Sequence, residues 1–352
     1  MPVNPNFLER LLLLRLNKGP APILDLFGAA SFEAVNLALD MGIFEVLVDE
    51  ELSVAELNDR LDADENGVRM LLNFLEAQGY VAEDGGRYRN TGMTAKWLTT
   101  ASETNMAPWL TFWNELVFPF WDEHLETAIR EGDPRQTIYE WFDEEPERWE
   151  TAQRGFRAVA SIIVDEVTDK VAVPEGASRL LEVGGGHGLY AIELCREHPN
   201  LSATVFDNPE ALEAARTEIT EADVADCVDV MGGDYWTDDL GMGYDVAFVF
   251  NIIHAHNEEE NRRLFERVAE ALDSGGRIAI FDQLKGSART PVGKTGIGFV
   301  GLTYLTTLGA EIHPYEEVAD WLHSAGFGNV KRSTIHRAGP GNTLVLAKYA
   351  GG

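Results

Sequence analysis

From about Ala172 onward the chain alternates short apolar or β-branched runs with stretches of helical periodicity. RLLEV, SATVF, CVDVM, DVAFVF and RIAIF are the first five runs, and most lead into a glycine or polar turn and then a helix-period segment. That rhythm predicts a doubly wound parallel sheet. Two further runs, NVKRSTIH and NTLVLAKY, are joined through RAGPG and read as a closing antiparallel hairpin. The expectation for residues 172–352 is therefore an α/β, Rossmann-like sheet of seven strands whose last hairpin is antiparallel.

The pattern before it is different. Between about Ser31 and Trp97 the polar and apolar positions predict three helices and a hairpin. SVAELNDRL opens on Ser53 with Glu56 three residues on, a capping box. Val68, Leu71, Leu72 and Leu75 then follow at helical spacing up to a stop near Gly79, and YVAEDGGRYRNT predicts two strands around Asp84-Gly85-Gly86. Residues 1–105 thus have the outline of a winged helix. Reading DNA would need several cations on one face. The presumed recognition helix offers only Arg69, among Asp62, Asp64, Glu65 and Glu76, so a dimerisation role is the stronger expectation. Residues 106–171 form an aromatic-rich helical stretch, with Trp109, Phe112, Trp113, Phe118, Phe120, Trp121, Trp141 and Phe142. Core packing accounts for most of these rings, while a few could line an apolar pocket for a flat ligand. The leucine run in FLERLLLLRL is ended by Arg15 and is too short for a signal sequence or membrane span, so it reads as an amphipathic helix.

Composition adds the surroundings. Twenty-eight Lys and Arg against 59 Asp and Glu give a net charge of −31, which disfavours nucleic acid and anionic membranes as partners. The acidic residues are spread along the whole chain and Lys is scarce, the pattern of a halophilic-type acidic surface for which salt screens the self-repulsion. Only Cys195 and Cys227 are present, so a reducing, cytoplasmic setting is expected and a disulfide framework is not.

Chemistry concentrates at the ends of the apolar runs. LLEVGGGHGLYAIEL is a buried strand, a glycine-rich turn and a helix start, where glycines allow close approach of a ligand and the helix offers free N–H groups. Gly184, Gly186 and Gly188 give G-x-G-x-G; the dinucleotide fingerprint wants its third glycine where Leu189 stands, which disfavours a nicotinamide dehydrogenase. Asp207, ending ATVF, can accept both hydroxyls of a ribose. In GGDYW, Asp234 could accept from an exocyclic amine, with Tyr235 or Trp236 stacked on a purine, or Asp234 could simply shape the turn. NIIHAHNEEE places His254 and His256 after the fourth strand, with Asn257 and Glu260 capping the next helix. A metal site would need three or four ligands and two histidines supply only half of them, so no metal is expected. A general base, or a loop histidine that only shapes a pocket, are the remaining readings.

LLEVGGGHG, VFDNPE, GGDYW, IIHAHNEEE and YEEVADWLHSAGF occur in the order seen in S-adenosylmethionine-dependent methyltransferases. More narrowly, the chain resembles the small-molecule O-methyltransferase family of plants and bacteria, over nearly its whole length. The resemblance implies S-adenosylmethionine as cofactor, with Gly184 and Gly186 near the methionine portion, Asp207 on the ribose, and Asp234 with Tyr235 on the adenine. Glu182, Asn208, Gly233 and Asn251 complete the expected cofactor set. It also implies a homodimer whose N-terminal domains interlock and contribute to each other's pockets.

In the family the loop typically reads Leu-His-Asp-Trp and its histidine is the base. His254 matches that histidine; Ala255 and His256 replace the Asp and Trp. Asp282 stands where one orienting carboxylate commonly sits. Glu311, in GAEIH, keeps the Glu of a Gly-x-Glu-Arg-Thr segment whose Arg and Thr are replaced by Ile312 and His313. The expected catalytic set is His254, Asp282 and Glu311. The expected acceptor pocket draws on Trp109, Phe112, Trp113, Phe156, His256, Phe299 and Tyr304, with His313 as a further candidate. The expected reaction is methylation of an aromatic or polyketide-like hydroxyl. Its rivals are C- or N-methyl transfer, a non-methylating relative, and a regulator that senses the cofactor.

Overall fold

The computed structural model describes residues 5–171, 173–286, 288, 290–339 and 341–351. The expected domain start at Ala172 lies outside the described residues. The chain divides into two compact units, Met1–Asn114 and Glu115–Gly352.

The first unit runs α1 (Phe7–Arg10), α2 (Ile23–Asp40), α3 (Ile43–Val46), β1 (Leu52–Ser53), α4 (Val54–Leu61), α5 (Glu65–Ala77), β2 (Val81–Asp84), β3 (Arg87–Asn90), α6 (Gly92–Trp97) and α7 (Ala107–Phe112). The expected capping box holds: the Ser53 hydroxyl accepts from the Glu56 amide, and the Glu56 carboxylate accepts from the Ser53 amide at 2.7 Å. Gly85 and Gly86 both have positive φ, so β2 and β3 join through a two-residue turn, with β1 added antiparallel to β3. Val68, Leu72 and Leu75 face the core of this unit; Leu71 is only half-buried. The amphipathic leucine segment departs from a regular helix. After α1 it widens into a π turn over Leu11–Arg15, and Phe7, Leu8, Leu12 and Leu14 are exposed.

The second unit opens with α8 (Phe118–Glu131), α9 (Ile138–Asp143) and the long α10 (Pro146–Val171). There follow β4 (Arg179–Val183), α11 (Leu189–Glu197), β5 (Ser202–Asp207), α12 (Leu212–Glu221), β6 (Val228–Gly232), β7 (Tyr244–Phe250), α13 (Glu258–Ala271) and β8 (Leu272–Gln283). α14 (Pro291–Leu308), α15 (Tyr315–Ser324), β9 (Phe327–Thr334) and β10 (Asn342–Tyr349) complete it. The sheet order is β6-β5-β4-β7-β8-β10-β9, parallel from β6 to β8, with β10 antiparallel to both neighbours. Side chains alternate across it. Leu180, Val205, Phe248 and Phe281 pack under α10, α11 and α12, while Leu181, Val183, Val249 and Ile280 pack under α13 and α15. Fully buried Phe206, Phe248, Phe265, Phe281 and Trp321 contribute roughly 2 kcal/mol each by leaving water. Order reverses between β4 and β7, so the carboxyl ends of the parallel strands open onto one crevice.

Candidate active site

Every parallel strand delivers a polar residue or a sharp turn to that edge. β4 ends at Val183 and passes into Gly184, β5 ends in Asp207, β6 leads to Gly233–Trp236, β7 to Asn251–His256, and β8 to Asp282. Gly184 and Gly186 have φ of +63° and +47°, where a side chain is strained. A Cβ at Gly184 would meet Ile252 Cδ1 at 2.5 Å, and one at Gly186 would meet Gln153 Oε1 at 2.4 Å. The turn is tied to β5 because the Gly184 amide donates to Phe206 O at 2.7 Å and the Gly186 amide to Asp207 Oδ2 at 2.8 Å. The other Asp207 oxygen accepts from the Asn208 amide at 2.7 Å.

At the β7 end, Asn251 is exposed with φ +54°, and its amide donates to Phe281 O at 2.7 Å. Asparagine tolerates that left-handed conformation better than most residues. The chain then makes a 3-10 turn over Ile253–Ala255 that buries His254 to 6% exposure. His254 Nδ1 lies 2.9 and 3.1 Å from the two oxygens of Asp282, which is fully buried, and the Tyr304 ring stacks on the imidazole at 4.0 Å with planes 4° apart. The contact has the geometry of an Nδ1–H donating to a carboxylate. Nε2 has no hydrogen-bond partner among the described residues.

The O-methyltransferase domain model matches residues 122–328, and the O-methyltransferase dimerisation domain matches residues 25–100. The chain belongs to the O-methyltransferase family. Among its relatives, 3-hydroxy-5-methyl-1-naphthoate 3-O-methyltransferase of Streptomyces sahachiroi is 28% identical over 321 residues, 90% of each chain. L-tyrosine C(3)-methyltransferase of Streptomyces lavendulae is 24% identical over 311 residues, 86% of this chain and 85% of that one. The solved structure of human N-acetylserotonin methyltransferase with S-adenosylmethionine superposes with a TM-score of 0.83 at 22% identity and full coverage of both chains, a likeness of fold. This is an S-adenosylmethionine-dependent methyltransferase acting on small molecules. The glycine turn fits such a cofactor: its left-handed backbone at Gly184 and Gly186 makes a tight turn against the Asp207 carboxylate, and a buried acceptor beside it, Gln153 Oε1, lacks a partner among the described residues.

The methyltransferase sets its expected residues in three groups. Gly184, Gly186, Asp207 and buried Glu182 cluster at the glycine turn, where Glu182 Oε2 accepts from the Ala191 amide at 3.1 Å. Burial pushes Glu182 up to about 8 and Asp207 up to about 6, the latter against two amides that favour its charge. In the second group Tyr235, Trp236 and His256 pack together. The Tyr235 hydroxyl is 2.7 Å from His256 Nε2, and the Trp236 and His256 rings meet edge-on at 4.8 Å. Burial lowers His256 to about 4, so it is neutral. Asp234 is exposed and shapes its turn, accepting from the Trp236 amide at 2.8 Å and Thr237 Oγ1 at 3.1 Å, while a Cβ at Gly233 would meet Phe206 at 2.8 Å. The third group is His254, Asp282 and Tyr304.

Glu311 is not in that group. Its side chain is 75% exposed and pairs with Lys285 Nζ at 2.6 Å, which holds the carboxyl below its usual range. Beside it the Lys285 amide donates to His313 O, and Ile312 and His313 are buried while Glu311 turns out. His313 instead donates from Nε2 to the His256 carbonyl at 2.8 Å. Of the expected pocket aromatics, Phe156 lies half-buried on α10, and Phe299 on α14 is 41% exposed beside Trp121. Trp109, Phe112 and Trp113 belong to the first unit and pack on one another, with Trp109 and Phe112 stacked at 5.1 Å.

Four polar groups of this methyltransferase's site escaped sequence reasoning. Gln153 stands in the apolar stripe of α10, and a glutamine at a core position was the available signal. Tyr139 stacks flat on Trp149, and its phenol is raised by burial and by the charges of Asp207 and Asp282. His187 Nδ1 accepts from the Leu189 amide at 3.1 Å, capping α11, and burial lowers it to about 3. Asn261 on α13 donates to the carbonyls of Ile253 and His256 at 2.9 and 3.0 Å, bracketing the histidine turn. Among the described residues there is no cluster of His, Cys, Asp or Glu able to hold a metal, and no helix long and apolar enough to cross a membrane.

Proposed function

We propose that this methyltransferase acts on a hydroxyl group of an aromatic or polyketide-like small molecule, with His254 as general base. The observation that carries the reading is the buried His254–Asp282 pair stacked on Tyr304 at the crevice. When bound, S-adenosylmethionine would supply an electrophilic methyl group, whose bond to the acceptor oxygen forms as its bond to sulfur breaks and the sulfonium becomes a neutral thioether. Asp282 holds the imidazole in the tautomer whose Nε2 is free, and Tyr304 fixes the ring plane. Nε2 takes the acceptor's hydroxyl proton, and the Asp282 carboxylate stabilises the imidazolium that results. Tyr304, Phe299 and Phe156 supply apolar surface for a flat acceptor, consistent with a relative named for methylating a hydroxynaphthoate.

For the cofactor, Gly184 and Gly186 would lie against the methionine portion and Asp207 would accept from the ribose hydroxyls. Tyr235 and Asp234 would flank the adenine, with Glu182, Asn208, Gly233 and Asn251 shaping the turns around it. The unit matched by the dimerisation model would pair two copies of the chain.

Replacing His254 by Ala should lower turnover by about 10²-fold or more, while the affinity for S-adenosylhomocysteine, measured calorimetrically, stays at the wild-type value. Turnover equal to wild type would remove the base role. A second reading, transfer to carbon, is favoured by one observation: of the two expected carboxylates only Asp282 touches His254, and a relative named for carbon methylation retains similar length and identity. Mass and NMR analysis of products from paired phenol and O-blocked phenol acceptors separates the two.

A further inference from the structure

The buried face of α10 is a stripe of Trp149, Ala152, Ala160, Ile163, Val164, Val167 and Val171. Two polar residues interrupt it, Gln153 and Thr168. The Thr168 hydroxyl donates back to Val164 O at 3.0 Å, the usual local solution for a hydroxyl inside a helix. Gln153 is 4% exposed, and its Oε1 has no hydrogen-bond partner among the described residues. Burying an acceptor without a donor costs stability, and such groups in native proteins call for an explanation. The carboxamide rests directly on the glycine turn, with Oε1 2.4 Å and Nε2 2.8 Å from where a Cβ of Gly186 would sit. The same glycine directs its amide to Asp207 Oδ2. Gly186 is therefore flanked by one acceptor already engaged and one that is open.

We propose that Gln153 Oε1 accepts a hydrogen bond from the α-ammonium group of the cofactor's methionine portion. S-adenosylmethionine offers three kinds of donor: the ammonium, the ribose hydroxyls and the adenine amine. Asp207 at the end of β5 serves the ribose, and the adenine end is walled by Tyr235 and Trp236 at the end of β6. The ammonium is the donor left for an acceptor on the glycine turn, and a bond from a cation is stronger than one between neutral groups. The residue type also fits. Glu182 and Asp207 already place two carboxyl groups at this turn, where burial and the Asp207 charge push Glu182 up, so an amide oxygen accepts without adding a third acidic group. The proposal rests on the reading that the glycine turn takes the methionine portion.

The test compares S-adenosylhomocysteine with 5′-methylthioadenosine, which keeps the nucleoside but lacks the amino-acid portion, by equilibrium titration of the wild type and of Gln153→Met and Gln153→Leu. Both variants remove the acceptor while keeping side-chain volume, and deleting an unpartnered amide from an apolar stripe should leave the unliganded melting temperature at or above that of the wild type. The expected result is a loss of about tenfold or more in affinity for S-adenosylhomocysteine, with 5′-methylthioadenosine within about twofold of wild type. An unchanged affinity for S-adenosylhomocysteine, or an equal loss for both ligands, overturns the role of Gln153. A wild type that binds both ligands equally overturns the reading of the glycine turn itself.

Discussion

Glu182 and His187 bracket the glycine turn, and burial drives their titrations in opposite senses. Glu182, raised from 4.5 to about 8, holds a proton in the native state that the unfolded chain has released; between those two values the native state binds more protons, so its contribution to stability is lost as pH rises from about 4.5 to about 8. His187, lowered from 6.5 to about 3, is neutral when folded and protonated when unfolded across that interval; its contribution is lost as pH falls from about 6.5 to about 3. The two predict a stability maximum on the acid side of neutrality. Glu182→Gln keeps an acceptor for the Ala191 amide but cannot ionise, so thermal denaturation should show its melting temperature falling less than the wild type's between pH 5 and pH 8. Parallel curves would contradict the assignment. At this scale the sequence was most readable where the chain is locally continuous: a strand, three glycines and an acidic strand end place Gly184, Gly186 and Asp207 without help from distant segments. Gln153, Tyr139 and Asn261 were opaque because their meaning comes from what the fold sets against them; a glutamine at a core position marks burial but not the glycine turn it meets.

Helix α13 does more than cover the sheet. Asn257 and Glu260 form its capping box, with amide-to-carboxylate and amide-to-carbonyl bonds of 2.9 and 3.0 Å, and one turn further Asn261 reaches back to hold the two carbonyls on either side of His254. Asn261 is fully buried, so Asn261→Ala should strip its donor from both carbonyls, leaving that of His256 to His313 alone, cost about 1–3 kcal/mol, and lower kcat through a loosened His254 turn while cofactor affinity is kept. Denaturant titration and steady-state kinetics check both parts; an unaffected kcat would make Asn261 a purely structural anchor. Both capping boxes were legible as sequence spacing, since their partners are three residues apart. The extent of β8 was not. The run RIAIF begins only at Arg277, yet the strand runs from Leu272, because a register shift opposite Tyr244 and Val246 absorbs the extra residues. The outward swing of Glu311 was equally hidden, since it depends on Lys285 and His313 meeting across the fold.

The whole molecule carries a net charge of −31, and most of its ion pairs, such as Arg130 with Glu126, lie at exposed positions where each contributes little. Unpaired repulsion should therefore dominate the long-range electrostatics. Raising KCl from about 0.1 M to about 2 M, which shortens the screening length below typical charge spacings, should raise the melting temperature; an unchanged value would remove the salt-adapted reading of the surface. The α/β architecture and its antiparallel end were legible from the alternation of runs, because a sheet buried on both faces writes near-continuous apolar stretches into the chain. The order of strands was not, since β8 and β9 are bridged by β10, which comes after both. That arrangement bears on synthesis. As the chain emerges from the ribosome, β8 and β9 each expose an unsatisfied edge until Asn342–Tyr349 arrives to slot between them. The strand that carries Asp282 gains its second neighbour last, so the carboxylate that bonds His254 is secured only at the final step of assembly, and a chain halted before Asn342 would present two open edges to its neighbours.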